Sequence, residues 1–140
     1  MNKLSIIILS VFISKFVFAQ NTSSYFKRTF TLADSLRGNL THFRSCYDVT
    51  YYDLTVEFDI PNKSISGYND IYFEVKSDLD TLQIDLFQNM IISTIEFDGQ
   101  TLNYFRKENA VFVIFPRTLL KESRGVLTIH YNGNPIIATQ

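Results

Sequence analysis

The side chains that could do chemistry in this chain are few and scattered. His42 and His130 are its two histidines and Cys46 its single thiol. A zinc site needs three or four nitrogen, sulfur or oxygen ligands, usually announced by an HExxH helix or a paired-cysteine motif, and neither pattern occurs. His130 stands between Ile129 and Tyr131 in an alternating stretch, the place of a strand-face residue, and His42 falls in an irregular stretch. Cys46, at the entry to a strand pattern, reads as a small apolar residue rather than a nucleophile, and being alone it can form no internal disulfide.

Carboxylates are more numerous but equally diffuse. Asp53, Glu57 and Asp59 fall at alternate positions of one strand pattern and share a face; paired carboxylates can divide acid and base work, yet a solvated strand face has the same pattern. Asp78 and Asp80 mark an acidic loop that falls short of the six or more oxygens calcium prefers. The glycines Gly38, Gly67, Gly99, Gly125 and Gly133 are scattered singly, so there is no phosphate-cradling loop, and no GxSxG elbow is present. Tyr51, Tyr68 and Tyr72 offer either an aromatic binding strip or, more simply, cross-strand pairs that stabilise a sheet. Asn21-Thr22-Ser23 and Asn39-Leu40-Thr41 match the N-glycosylation acceptor pattern and carry no weight for function. No residue is assigned as catalytic, cofactor-binding or metal-ligating, and no cofactor is expected in this chain.

The elements that hold these residues are strands. In "YDLTVEFDIPNKSISGYNDIYFEV", Tyr52, Leu54, Val56, Phe58 and Ile60 alternate with Asp53, Thr55, Glu57 and Asp59, the period of a strand with one face inward and one wet. After Pro61, Asn62 and Lys63 the alternation resumes through Ile71, Phe73 and Val75, so the stretch is expected to be an antiparallel hairpin. Leu82, Ile84 and Leu86 mark a third strand and Ile91 to Phe97 a fourth. Asp98-Gly99 is a tight-turn signal leading into "TLNYFRK", which is expected to pair back. "NAVFVIF" follows and is expected to end at Pro116, which cannot donate to a ladder; Arg117 to Gly125 reads as a polar connection. "GVLTIHYNG" is the last strand, with Leu127, Ile129 and Tyr131 on one face and Thr128 and His130 on the other. The fold class expected is all-β, an antiparallel β-sandwich or saddle meander of about seven or more strands.

Length and composition set the frame. With 140 residues, 46% of them hydrophobic and 15% aromatic, the chain supports one packed domain. Residues 1–19 carry Lys3, an apolar run from Leu4 to Ile13 and small-residue cleavage geometry at Val17 and Ala19, the signature of a secretory signal peptide. Residues 20–45 read as an irregular lead-in with a helical turn around Thr31 to Arg37, and residues 46–140 as the β domain, incomplete at its C-terminus. Without Lys3 and Lys15 the charge falls from −1 to −3, which attracts neither nucleic acid nor an anionic membrane. The protein is expected to be exported, periplasmic or secreted, with no membrane association after cleavage.

Taken in order, these strands resemble the N-terminal β-saddle domain of the aminopeptidase N family of zinc metallopeptidases. The resemblance rests on Tyr52, Leu54 and Val56; Gly67; Leu82, Ile84, Asp85 and Leu86; the Asp98-Gly99 turn; and Ile129, Tyr131, Gly133 and Pro135, and it spans roughly residues 45–135. It implies an accessory role: a sheet that packs on a zinc peptidase domain and shapes entry to its cleft. Family members remove N-terminal residues from peptides with zinc held by HExxH and a downstream Glu, beside a GAMEN-type loop, all in a domain that follows the saddle. None of these residues is in this chain, so zinc is expected only in that catalytic domain. The late saddle residue, commonly Gln, that helps hold the substrate amine is expected beyond Gln140. Peptide substrates are reached only through the catalytic domain, and the chain alone is expected to be inactive and prone to associate. The alternative is a self-sufficient secreted β-sandwich serving as a binding or adhesion module. N-terminal sequencing of the exported protein is expected to start at Gln20; a chain that retains Met1 overturns the signal-peptide reading.

Overall fold

The computed structural model describes residues 29–137; the expected signal peptide and the Asn21 acceptor site lie outside them. Two short helices, α1 (Leu32–Gly38) and α2 (His42–Ser45), precede eight strands: β1 (Tyr47–Asp59), β2 (Ser64–Val75), β3 (Leu79–Asp85), β4 (Met90–Phe97), β5 (Gln100–Thr101), β6 (Asn103–Lys107), β7 (Ala110–Leu119) and β8 (Arg124–Gly133). They form a five-stranded sheet of order β1-β2-β8-β4-β5 and a three-stranded sheet of order β3-β7-β6, antiparallel throughout. The all-β, two-sheet expectation holds. Hairpins β1–β2, β4–β5 and β6–β7 supply the meander, and β8 returns to lie between β2 and β4.

Local chemistry explains most of the boundaries. Thr31 caps α1 by accepting from the Asp34 amide (3.2 Å), while Asp34 accepts from the Thr31 amide (3.0 Å), a reciprocal box that fixes the helix where a helical turn was expected. The Asp98-Gly99 turn has φ of 51° and 74°, the left-handed conformation a tight hairpin needs. The β1–β2 turn is held by Asp59, which accepts from the Asn62 amide (3.0 Å) and side chain (2.8 Å); these bonds hold its carboxyl below the usual carboxylate range. Opposite Val56, Gly67 admits the close approach of β1: a Cβ there would lie 2.0 Å from the Thr55 carbonyl oxygen.

Three expectations are corrected. "TLNYFRK" does not pair back as one strand: only Gln100 and Thr101 pair with β4, and at buried Leu102 the chain crosses to the second sheet, where β6 pairs with β7. Pro116 does not end its strand. β7 runs on to Leu119, because between the pairs Thr81–Ile114 and Leu79–Leu119 it bulges away from β3, and Pro116 sits in that bulge with no ladder bond to donate. The polar connection is correspondingly shorter, and β8 begins at Arg124.

The core lies where the smaller sheet covers the larger. Ile71, Phe73, Ile95, Phe97, Leu127 and Ile129 from one sheet meet Leu82, Ile84, Val111, Val113 and Phe115 from the other. At its centre the rings of Phe73, Phe97 and Phe115 lie with centroids 5.1–6.4 Å apart. Cys46 is fully buried in this core, and burial pushes its thiol pKa up, the opposite of activation.

Tyr47 joins the sheets, its hydroxyl donating to the Gln83 carbonyl at 2.6 Å. Burial is the main cause that raises its pKa well above the ordinary value. The unfolded chain therefore loses this proton first, and the stability it contributes is complete below about pH 10 and lost as pH rises further. In Tyr47→Phe the fall of stability above that pH is expected to flatten, measured by urea unfolding from neutral pH to pH 11; an unchanged slope contradicts the assignment.

Candidate interaction surface

The two sheets differ in length, and the difference leaves a surface. Cross-strand partners share a face: Tyr52 faces Ile71, Leu54 faces Asn69, Val56 faces Gly67 and Phe58 faces Ile65. Since Ile71 is in the core, all of these side chains lie on the core face of the large sheet. The small sheet ends short of them. Leu54 is 58% exposed and Phe58 72%, and Tyr52 and Ile60 are exposed too. The alternation in β1 thus sets the face correctly, but only at Tyr47 and Val49, both partly buried, does this face of β1 pack against the core. The apolar platform continues past β8: Ile136 and Ile137 border an open groove with Phe58, Ile60, Ile65 and Pro135. Asn134 sets this segment against the hairpin turn by donating to the carbonyls of Asn62 (3.0 Å) and Lys63 (3.1 Å).

Where the covered and open halves meet there is a cavity of about 270 Å³, walled by Tyr47, Tyr52, Ile71, Ile129 and Tyr131 and closed at one side by Arg44, Gln83 and Asp85. Arg44 pairs with Asp85, and Arg44 and Gln83 each donate to the Leu36 carbonyl at 3.0 Å. This knot ties α1, which buries no side chain of its own, to β3. The sequence reading did not single out Arg44 or Gln83. An amide in the apolar run "TLQIDL" was the available signal, for Gln83 is 1% exposed.

The opposite face of the large sheet is polar. Tyr51 packs on Tyr72 (5.5 Å) and Tyr68 on His130 (5.4 Å), each across neighbouring strands, so the tyrosines are sheet-stabilising pairs and not one strip. His130 is a strand-face residue; His42 opens α2. Asp53, Glu57 and Asp59 are solvated. Asp78 accepts from the Lys121 amide at 2.8 Å, and Asp80 lies in β3. Among the described residues no three His, Cys, Asp or Glu side chains come together as a metal site.

No family model and no curated protein matches the sequence. Solved structures do match its fold. The M1 zinc metallopeptidase of Deinococcus radiodurans aligns at TM-score 0.58 and 25% identity over 66% of this chain and 21% of its own. A mutant of it bound to a Tyr-Ser-Ala substrate aligns at 0.60 and 24% over 69% and 22%. Native yeast LTA4 hydrolase aligns at 0.53 and 19% over 64% and 15%. The chain thus has the fold of a part of the M1 zinc metallopeptidases, as the resemblance implied, and spans about a fifth of the length of the bacterial enzyme.

An exposed apolar platform and a buried core respond differently to substitution. Leu127→Ala, in the core, is expected to cost about 2–5 kcal/mol. Phe58→Ser is expected to change stability by no more than about 0.5 kcal/mol while reducing self-association and binding of an apolar dye. A large loss of stability in Phe58→Ser contradicts an uncovered platform.

Proposed function

We propose that this chain is the non-catalytic N-terminal domain of an exported zinc aminopeptidase, and that its open apolar face packs on a catalytic domain and shapes entry to that domain's cleft. The uncovered half of the large sheet carries the reading: Leu54 and Phe58 are exposed on the same sheet face as the core residues Ile71 and Phe73, where a folded chain buries such side chains against something. The shared fold with M1 zinc metallopeptidases supports the choice of partner. Zinc and peptide substrate belong to the partner domain, and this chain contributes surface.

The gene tests the reading directly. An in-frame continuation beyond Gln140 into an HExxH helix is expected, and a stop followed by no peptidase sequence counts against it. The purified chain is expected to hold no stoichiometric zinc by elemental analysis and to release no amino acid from N-terminal peptide amides. Zinc at one per chain, or activity abolished by a chelator, defeats the proposal.

A further inference from the structure

Among the described residues, the outer edge of β1 is a long stretch of backbone with no neighbouring strand. β1 has 13 residues and, among the described residues, pairs with β2 alone. On the side away from β2, alternate residues present free N–H and C=O groups, the template on which another strand adds. Edge strands are commonly protected by charge, and in β1 the charge has a single sign. Asp48, Asp53, Glu57 and Asp59 are all acidic, and β1 contains no Lys or Arg. Asp53 lies directly opposite Asp70 of β2, a like-charge pair that disfavours the sheet. Asp70 accepts the Thr128 hydroxyl at 2.5 Å, but among the described residues no cation pairs with Asp53, Asp70 or Glu57. The other face of the strand is the exposed apolar platform.

We propose that the free edge of β1 docks an extended protein segment in which apolar and basic residues alternate, adding a strand beside β1. The apolar side chains of that segment extend the platform of Tyr52, Leu54 and Phe58. Its Lys or Arg side chains lie beside Asp53 and Glu57 and relieve the repulsion between Asp53 and Asp70. A second copy of this chain is a poor occupant, because antiparallel pairing centred on Thr55 sets Asp53 against Glu57. The proposal stands apart from the domain role above, since among the described residues the edge is unpaired whatever covers the inner face.

The experiment titrates the full chain with capped peptides of about nine residues, one alternating Val and Lys and one alternating Val and Glu. Affinity is read by fluorescence anisotropy and location by amide NMR and hydrogen exchange. The Val/Lys peptide is expected to bind tighter by about tenfold, to weaken as salt rises, and to protect alternate β1 amides. Replacing Asp53→Lys and Glu57→Lys, both solvent-exposed, is expected to reverse the preference, with Glu57→Lys alone moving it in the same direction. Equal binding of the two peptides overturns the proposal, as does binding that leaves β1 amides unprotected. Protection of the β1 edge in the chain alone overturns it too, by showing a second copy already in place.

Discussion

The packing of one long sheet against one short sheet is the constraint on which the rest of this structure depends. At about 3.3 Å per residue, the 13 residues of β1 and 12 of β2 reach far beyond the 7 of β3 and 5 of β6. One half of the large sheet is therefore closed over a phenylalanine-centred core, and the other half stays open with the same apolar pattern. Neither half is independent of the other. The register pairs that place Phe73 and Ile71 in the core also place Leu54 and Phe58 on the open platform.

At the seam between the halves the structure spends its buried polar groups. Arg44 and Gln83 both donate to the Leu36 carbonyl, Arg44 also pairs with Asp85, and the Tyr47 hydroxyl reaches the Gln83 backbone. Gln83 is buried and Arg44 partly so, and donors removed from water are tolerated when they are paired. The result is positional: the helical lead-in, without a buried side chain, is pinned to β3 by directional bonds instead of by hydrophobic contact.

Among the described residues the potentially reactive side chains lie apart from one another, and the apolar platform lies open. Cys46 is buried in the core, the histidines lie on separate elements, and the carboxylates brace turns, pair with neighbouring side chains or face solvent. What the fold offers is surface: an apolar face of one character and an acidic strand edge of another. Surfaces of this kind act by what they hold in place, and the fold shared with part of the M1 zinc metallopeptidases is consistent with such work.

The sequence by itself determined the strands and their faces, because period-two alternation and turn chemistry are local. Tyr52 to Val75 is a hairpin, Asp98-Gly99 a tight turn, and Leu127 and Ile129 are inward. It also carried enough order for the family resemblance. Only the tertiary structure decided which part of each apolar face is covered, since that depends on where the second sheet stops. The insertion of β8 between β2 and β4, the crossing at Leu102, the bulge around Pro116 and the knot of Arg44 with Asp85 had no local signal. Each is fixed by residues distant in the chain, whose meeting is decided by packing and not by the pattern of their neighbours.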